Sequence, residues 1–467
     1  MFKKVLSYFS DICSIPHGSG NTDMLLEYLR GFAVEHGLRY ITDESGNIVI
    51  FKKGTEGYET SPSVILQGHL DMVCVKEDEC DIDFLTDGLK LKRDGDFLFA
   101  EGTSLGGDDG IAVAFALAVL DSTDIPHPPL EVVLTADEET GMFGAEGLDM
   151  SLLKSKMLIN MDSEDEGTLL VSCAGGVRCD GSFSAESEDT EKIGIKLTLS
   201  GLKGGHSGTE IHKGHLNGII SLCKLLENED FYLYDIKGGS ADNAIPSFCE
   251  VTLYTENADE FINSLTEKFN AFKEEYKEAE PFMELRSEKA AVTNIISKKD
   301  TAKIIKAVAA LPNGVIAYSK SIKGLVETSL NLGVITKKDN RIITGHSLRS
   351  SVGTEKEKLK DTLSAHYKKY GAKHAFHSDY PAWEYNENSR LQKVFKACYK
   401  NHTGKELTVS AIHAGLECGI FTKKAPYLDC ISFGPDMQGI HSTQEKLSVS
   451  SSERTFSLLL SVLEALR

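Results

Sequence analysis

The chain has 467 residues, 41% of them hydrophobic and 26% charged, and its formal net charge is −20. This length predicts two or more domains, and the composition is typical of a soluble globular protein. A surface this acidic repels nucleic acid and anionic membranes, so we expect neither as a partner. No apolar run approaches the ~20 residues that a membrane-spanning helix needs.

The first residues, MFKKVLSYFSDIC, predict a short amphipathic helix, because Ser7, Ser10 and Asp11 interrupt the apolar stretch that a signal peptide would require. The ten cysteines are scattered and include no CxxC pair. Without an export signal, we expect these thiols to be reduced and the protein to be cytoplasmic.

Apolar runs and helical patterns alternate along the first part of the chain. Residues 63–66, 130–135 and 156–161 are typical of buried strands, and residues 111–120 of a helix that follows a glycine-rich turn. This alternation predicts an α/β fold with a mostly parallel sheet covered by helices. Near the end of the chain, a strand at 430–433 and a helix at 455–466 are expected to complete the same sheet.

The composition changes near residues 183–192, where the polar stretch FSAESEDTEK predicts a linker. Strand and helix patterns then alternate to about residue 380, with helices at 215–226, 258–277, 301–310 and 354–370. We interpret this region as an inserted α+β lid domain with two similar halves, and residues 377–389 as the returning linker. The prediction is a split catalytic domain, 1–187 and 380–467, and a lid domain, 188–379.

Acidic residues and histidines follow the strand-like runs of the predicted catalytic domain. In open α/β sheets, ligands bind at the carboxyl ends of the strands. A further acid lies in the segment GTSLGGDDG, just before a helix, where the glycines allow a sharp turn. The candidate residues are His69, Asp71, Asp108, Glu138, Glu139, Asp162 and His441.

Each of these residues alone is a weak signal, since a single histidine at a strand end is more often a hydrogen-bonded surface residue, and paired acids usually belong to a solvated turn. The glycine-rich segment is not a phosphate-binding loop, because no Lys-Ser/Thr follows the glycines. Two histidines and three carboxylates at corresponding strand ends nevertheless match the nitrogen and oxygen ligands of zinc. Three ligands per ion, with one bridging carboxylate, would leave an open position on each ion.

Nine segments, spread over nearly the whole chain, resemble the dinuclear-zinc exopeptidase family of carboxypeptidases, deacetylases and dipeptidases. The segment HAGLECG and the long insert favour the aminoacyl-histidine (Xaa-His) dipeptidase group within that family. The segments are SIPHGSGN, QGHLDMV, GTSLGGDDGIAVA, TADEETGM, LINMDSEDEG, LKGGHSGTEIH, DNAIP, HAGLECGIF and ISFGPDMQGIHS.

The resemblance implies roles for the candidate residues. One ion would take His69 and Asp162, the other Glu139 and His441, and Asp108 would bridge them. It also implies a cis peptide bond between Asp108 and Asp109. Two further residues would act beside the metals: Asp71 would hydrogen-bond the second ring nitrogen of His69 and fix its tautomer, and Glu138 would be the general base.

The resemblance also implies substrate-binding residues. His206 would donate a hydrogen bond to the oxyanion, acting across the lid or a subunit interface, and Asn243 would be a second lid contact. Arg349 would bind the terminal carboxylate of the substrate, which suits a guanidinium fork. His413 and Glu417 would line the substrate pocket. Two segments depart from relatives: GGSAD, before Asn243, and HSTQE, which begins at His441.

We therefore expect a hydrolase of dipeptides with a preference for Xaa-His and with two divalent ions, zinc first and manganese or cobalt as alternatives. An N-acyl amino-acid deacylase or a tripeptidase would share the site, and a non-catalytic metal-binding homologue is the alternative of another class. The expected partner is a small peptide substrate. Either a monomer or a homodimer through the lid is consistent with the resemblance.

Overall fold

The structure is a computed structural model that describes residues 1–467. The chain forms two compact units. The first unit comprises Met1–Cys173, Trp383–Ala411 and Leu416–Arg467, and the second comprises Ala174–Ala382 and Ile412–Gly415.

The strands, in chain order, are β1 Arg39–Thr42, β2 Ile48–Lys52, β3 Val64–His69, β4 Leu91–Asp94, β5 Phe97–Ala100, β6 Leu130–Thr135, β7 Met157–Asn160, β8 Thr168–Cys173, β9 Gly175–Ser184, β10 Ser187–Ser200, β11 Gly205–His206, β12 Tyr232–Gly238, β13 Ala244–Ile245, β14 Cys249–Tyr254, β15 Glu284–Ile296, β16 Gly314–Tyr318, β17 Val326–Lys338, β18 Arg341–Ser350, β19 Lys373–Tyr380, β20 Thr408–Ile412, β21 Asp429–Ser432, β22 Met437–Gln438 and β23 Lys446–Ser448.

The α-helices are α1 Phe2–Cys13, α2 Asp23–Glu35, α3 Gly107–Asp121, α4 Phe143–Gly147, α5 Gly218–Leu226, α6 Ala258–Tyr276, α7 Lys298–Ala309, α8 Gly353–Lys369, α9 Arg390–Thr403, α10 Glu417–Lys424 and α11 Val449–Ala465. None of these helices combines the length and the apolar character that crossing a membrane requires. All ten cysteines are free thiols.

The first unit is built on an eight-stranded mixed sheet with the strand order β1-β2-β6-β3-β7-β21-β8-β20. The four central strands, β6, β3, β7 and β21, run parallel to one another. The strands β1, β2 and β8 pair antiparallel with their neighbours. The predicted α/β sheet is therefore confirmed at its centre. The margin at β1 and β2 is antiparallel because a short turn, rather than a crossover helix, joins these two strands.

Helix α3 lies at the centre of the first unit, where every residue from Gly110 to Leu120 is buried. The helix follows Gly106, whose φ of 65° lies in the left-handed region that favours glycine. A Cβ atom at Gly68 would lie 2.5 Å from Asp109 Oδ2 and 2.8 Å from Ala112 Cβ. Only glycine therefore allows the end of β3 to approach the start of α3 this closely.

The second unit contains an antiparallel sheet with the order β15-β10-β14-β12-β17-β18-β9-β19, and β16 pairs with β17 at one side. The alternation of buried and partly buried residues in β14 is typical of a sheet with one more fully covered face. Buried residues of α5, α6, α7 and α8 pack with those of the sheet in one hydrophobic core.

The boundary between the units differs from the expected one. Residues 175–184, expected in the catalytic domain, form β9 of the second unit, where β9 pairs with β18 and β19. The linker expected at 183–192 is largely strand, because β10 begins at Ser187 and pairs with β15. Its polar composition reflects the exposed part of a strand rather than a flexible connection. Residues 377–380, expected in the returning linker, are the end of β19.

Candidate active site

The predicted metal ligands follow neighbouring strands in the centre of the first unit. His69 is the last residue of β3, Glu139 follows β6, and Asp162 follows β7. His441 lies beyond β21, in the loop between β22 and β23. Because β6, β3, β7 and β21 are adjacent and parallel, their carboxyl ends meet at one edge of the sheet. Asp108 reaches the same edge from the start of α3.

The side chains of these residues form two groups that share Asp108. His69 Nε2 lies 3.1 Å from Asp108 Oδ1, and His441 Nε2 lies 3.2 Å from Asp108 Oδ2. His441 Nε2 is also 2.8 Å from Glu139 Oε1. The donor atoms of His69, Asp108 and Asp162 all lie within 4.8 Å of one another, as do those of Asp108, Glu139 and His441. The two oxygens of Asp108 thus face different histidines, as a bridging carboxylate requires.

Asp71 contacts different groups from those expected. His69 Nδ1 is 2.9 Å from the backbone oxygen of Asp71 and 3.6 Å from its carboxylate. The expected carboxylate–histidine hydrogen bond is therefore replaced by a bond to the main chain, which fixes the same tautomer. The carboxylate instead accepts hydrogen bonds from the backbone N–H groups of Glu138, at 2.9 Å, and Glu139, at 3.3 Å. Asp71 consequently holds the turn that carries Glu138 and Glu139, the expected general base and an expected metal ligand.

The peptide bond between Asp108 and Asp109 is cis, as the resemblance implied. The loop before it is held by Glu445, which the sequence did not single out. Glu445 accepts hydrogen bonds from the backbone N–H groups of Leu105 at 2.7 Å, Gly106 at 3.1 Å and Gly107 at 2.8 Å. No local sequence signal marks this residue, because its partners lie about 340 residues earlier in the chain.

The carboxylates of the site repel one another. Burial, followed by the charge of Asp108, raises the pKa of Asp162 to about 8. Burial also raises the pKa of Glu138 far above its ordinary value, and nearby Asp162 and Glu139 act in the same direction. Acids in this situation retain protons at neutral pH unless a cation compensates their charge.

The two histidines of the site, His69 and His441, are stabilised in their charged form by the neighbouring carboxylates. Hydrogen bonds with Asp108 and Glu139 raise the pKa of His441 to about 10. Burial alone would lower the pKa of His69, but the neighbouring carboxylates of Asp108 and Asp71 outweigh it, so the net shift is upward. Both histidines therefore act as cations toward the surrounding carboxylates in the absence of a metal.

Glu417, expected in the substrate pocket, is fully buried at the start of α10 in the first unit. Its Oε2 atom accepts hydrogen bonds from Gln67 Nε2 at 2.5 Å and Thr135 Oγ1 at 2.8 Å. Gln67 is bonded in turn to Asn160 at 2.6 Å, and Glu417 Oε1 has no hydrogen-bond partner. Burial raises the pKa of Glu417 to about 7. Glu417 thus links the carboxyl-terminal parts of β3, β6 and β7 through Gln67, Thr135 and Asn160.

The second unit brings His206 and Asn243 together. His206 pairs with Ala244 across strands β11 and β13, and the backbone N–H of Ser207 donates to the oxygen of Asn243. His206 Nδ1 accepts a hydrogen bond from the backbone N–H of Thr209 at 3.1 Å. A neutral His206 therefore carries its proton on Nε2, where it can donate. Burial and the charge of Arg349 lower its pKa and favour the neutral form.

Arg349 is a buried cation of the second unit, 9% exposed, whose Nη1 donates to the Tyr380 hydroxyl at 3.0 Å. Its Nε atom has no hydrogen-bond partner. His413 Nε2 lies 2.7 Å from Ser329 Oγ, and burial together with the charge of Arg349 lowers the pKa of His413 to about 3. A buried guanidinium beside neutral histidines favours binding of an anion.

The donor set of the first unit fits a pair of divalent metal ions. Each group combines a histidine nitrogen with carboxylate oxygens, which are the ligands that zinc and similar ions prefer. Ions at these positions would also neutralise the carboxylates, whose mutual repulsion is seen in the raised pKa of Asp162. His69, Asp162 and Asp108 would hold one ion, and Glu139, His441 and Asp108 the other.

Comparison with known proteins gives one family. Residues 65–465 match the model of peptidase family M20/M25/M40. The cytosol non-specific dipeptidase of Escherichia coli (strain K12) is 39% identical over 98% of this chain and 96% of its own.

Solved structures agree with this match. The aminoacylhistidine dipeptidase of Vibrio alginolyticus superposes with a TM-score of 0.93 at 36% identity, over 99% of this chain and 96% of that chain. A tripeptidase of Staphylococcus aureus shares the fold, with a TM-score of 0.64 at 16% identity over 100% of this chain and 98% of that chain. Because the family model and a relative of 39% identity both cover most of the sequence, the chain belongs to peptidase family M20/M25/M40, whose members are metal-dependent hydrolases.

Proposed function

We propose that this protein hydrolyses dipeptides, with a preference for histidine as the second residue, and uses two zinc ions. The observation that carries the proposal is the arrangement of Asp108 between His69 and His441, with Glu138 beside them. The names of the two relatives, a cytosol non-specific dipeptidase and an aminoacylhistidine dipeptidase, support the substrate class. The first of these names also supports a cytoplasmic location.

Each side chain of the site has a task in this reaction. Bound divalent ions would lower the pKa of water from about 15.7 to about 7 and polarise the peptide carbonyl. Glu138 accepts the proton of the attacking water and passes it to the leaving amine. Burial raises the pKa of Glu138 in the metal-free protein, and the charge of bound ions would favour the carboxylate form that accepts the proton. Asp71 keeps Glu138 in place through the backbone of the turn.

The proposal extends to residues of the second unit. His206, whose Nε2 carries the donor proton, would bind the oxyanion, and Asn243 would contact the substrate beside it. Arg349 would bind the carboxylate of the dipeptide, since its guanidinium is buried and has an unused donor. His413 would border that carboxylate site. Glu417 would not contact the substrate but would support the strands that carry the site, through its hydrogen bond with Gln67.

A substrate panel combined with metal analysis tests the proposal. The purified protein is analysed for zinc, manganese and cobalt, and then assayed with Xaa-His dipeptides, other dipeptides, tripeptides and N-acetylated amino acids. We expect two ions per chain and the highest kcat/KM for Xaa-His dipeptides. Turnover of acetylated amino acids or tripeptides alone would replace the dipeptidase assignment, and binding of metal without any turnover would indicate a non-catalytic homologue.

A mixing experiment tests whether His206 acts within its own chain or in a homodimer. Neither the Glu138→Ala nor the His206→Ala variant should be active alone. If His206 of each chain acts in the active site of the other chain, a dimer of one chain of each variant contains one intact site. About a quarter of all sites should then recover activity on mixing. No recovery on mixing, together with a monomeric mass in light scattering, would assign His206 to its own chain.

A further inference from the structure

The loop that precedes helix α2 reaches the catalytic turn through two hydrogen bonds. Ser19 Oγ donates to Asp71 Oδ2 at 2.7 Å, and the backbone N–H of Gly20 donates to Asp137 Oδ1 at 2.6 Å. Asp71 and Asp137 belong to the two segments that carry His69 and Glu138. One short loop therefore contacts both sides of the proposed proton-transfer site.

The loop is itself held firmly against the chain after β3. The backbone N–H of Ser19 donates to the Met72 oxygen at 3.2 Å, and the Met72 N–H donates to the His17 oxygen at 3.1 Å. Gly18 and Met72 thus form an isolated parallel bridge. A Cβ atom at Gly18 would lie 2.4 Å from Cys74 Sγ, so a larger residue there would have to displace the Cys74 side chain. The hydroxyl of Ser19 is consequently presented to Asp71 by a fixed backbone.

Asp71 connects Ser19 to the turn that carries Glu138 and Glu139. It is 1% exposed, and its two oxygens accept three hydrogen bonds, from Ser19 Oγ and from the backbone N–H groups of Glu138 and Glu139. Asp71 Oδ2 accepts the hydrogen bond from Ser19 Oγ and also the longer of the two backbone hydrogen bonds, at 3.3 Å from the Glu139 N–H. Removing the hydroxyl of Ser19 leaves Asp71 Oδ2 with only the long hydrogen bond from Glu139, so the carboxylate is held less firmly and the turn that it supports loses part of its orientation.

We propose that Ser19 is a positioning residue, which acts through Asp71 to place the Glu138 carboxylate and the metal ligand Glu139. This inference rests on the proposed function for its kinetic consequence, but its effect on metal binding does not depend on any substrate. Residues that orient metal ligands through a hydrogen bond typically contribute about 10- to 100-fold to metal affinity or activity.

The experiment compares Ser19→Ala with Ser19→Thr, which keeps a hydroxyl, and with Ser14→Ala. Ser14 is an exposed residue of the same segment whose hydroxyl donates only to the Asp11 oxygen, so it is the matched control. We expect Ser19→Ala to lower kcat about tenfold with KM changed less than about twofold, because orientation rather than substrate binding is lost. Ser19→Thr should restore most of kcat, and Ser14→Ala should leave it unchanged.

Calorimetric titration of the metal-free variants with Mn²⁺ provides the second readout. Mn²⁺ binds more weakly than zinc, so the dissociation constants of both ions fall in the range that calorimetry can measure. The step that disappears in His441→Ala identifies the ion held with Glu139. In Ser19→Ala, the dissociation constant of that step should rise about tenfold, while the other step is retained.

An unchanged kcat and an unchanged Mn²⁺ titration in Ser19→Ala would overturn the proposal. Equal weakening of both ions with a lower melting temperature would also overturn it, since that result describes general loss of structure. If the wild-type protein hydrolyses no dipeptide, the proposed function fails, and the Mn²⁺ titration alone still decides the role of Ser19.

Discussion

Glu445 and Asp108 connect the two loops that carry the candidate metal ligands Asp108 and His441. The Glu445 carboxylate lies 3.4 Å from the backbone nitrogen of Asp108 and accepts shorter hydrogen bonds from the three preceding N–H groups. Glu445 follows His441 by four residues. The loop of His441 is therefore fastened to the loop of Asp108 by a buried carboxylate in a nest of backbone donors.

We expect Glu445→Gln to weaken metal binding at the site. An amide has one acceptor oxygen and an NH₂ group, and the NH₂ group would face backbone N–H donors that need an acceptor. The loss of hydrogen bonds to a buried carboxylate costs about 1.5–3 kcal/mol each. Because Asp108 lies between both histidines, affinity for both ions should fall, by about tenfold or more.

The matched control for this variant is Glu453→Gln, an exposed acid in the same part of the chain. It removes one negative charge without touching the loop of Asp108. Equilibrium dialysis with Zn²⁺ measures both variants. Equal metal affinity in Glu445→Gln and Glu453→Gln would show that Glu445 does not support the site.

Replacing Glu138 by glutamine should separate metal binding from turnover. The amide keeps the shape of the side chain but cannot accept the proton of the attacking water, so kcat should fall by at least about 10²-fold. Two ions per chain should remain, because His69, Asp108, Glu139, Asp162 and His441 are unchanged. Single-turnover kinetics and metal analysis of the same sample give both values.

Glu146→Gln, an exposed acid in the first turn of α4, controls for the loss of a charge near this turn. If the Glu138→Gln variant retained wild-type turnover, Glu138 would not be the base. If it lost an ion instead, Glu138 would be a ligand, which its proximity to His69 and Glu139 allows geometrically.

Metal binding should release protons at neutral pH. In the metal-free site the pKa of Asp162 is about 8, chiefly through burial, and that of His441 is about 10, so both groups carry protons at pH 7. Ligands must be deprotonated to coordinate an ion. Apparent affinity should therefore fall as pH is lowered.

Calorimetric titrations at pH 7, in two buffers of different ionisation enthalpy, count the released protons. We expect more than one proton per chain for the wild type and fewer for Asp162→Asn, which has no proton to release at that position. Identical binding heats in both buffers would contradict the raised pKa values of these residues.

The candidate metal ligands could be identified in the sequence because they adjoin strong local signals. The apolar runs before His69, Glu139 and Asp162 identify strands by themselves, and residues 130–135 match β6 at both ends. Parallel strands then require these ends to meet. The antiparallel direction of β1 and β2 and the start of the second unit at β9 could not be predicted in this way. Both depend on which strands pair, and no local sequence pattern indicates that pairing.

The residues that hold the ligands were harder to predict. Glu445 appears in the sequence as one acid in a polar loop, and only the folded chain brings it to the backbone of Leu105 and Gly106. Asp71 was identified, but its main-chain oxygen and its carboxylate have separate partners that spacing does not distinguish. Hydrogen bonds to backbone groups of distant residues leave no pattern in sequence.

His346 should make the stability of the protein depend on pH. It is 1% exposed, its Nε2 lies 2.5 Å from the Tyr367 hydroxyl, and burial lowers its pKa from 6.5 to about 3. Between these two values the unfolded chain binds a proton at this position and the folded chain does not. Because the unfolded state then binds more protons, this contribution to the free energy of unfolding falls as pH decreases from about 6.5 to about 3.

Denaturant unfolding of the wild type and of His346→Gln, at several pH values between 4 and 7, tests this prediction. Glutamine does not titrate, so the difference in unfolding free energy between the two proteins should shift in favour of the variant at lower pH. The full shift amounts to a few kcal/mol, at about 1.4 kcal/mol per pKa unit. His402→Gln, at an exposed histidine, serves as the control and should show no such trend. A difference between wild type and His346→Gln that is constant with pH would mean that folding does not change the pKa of His346.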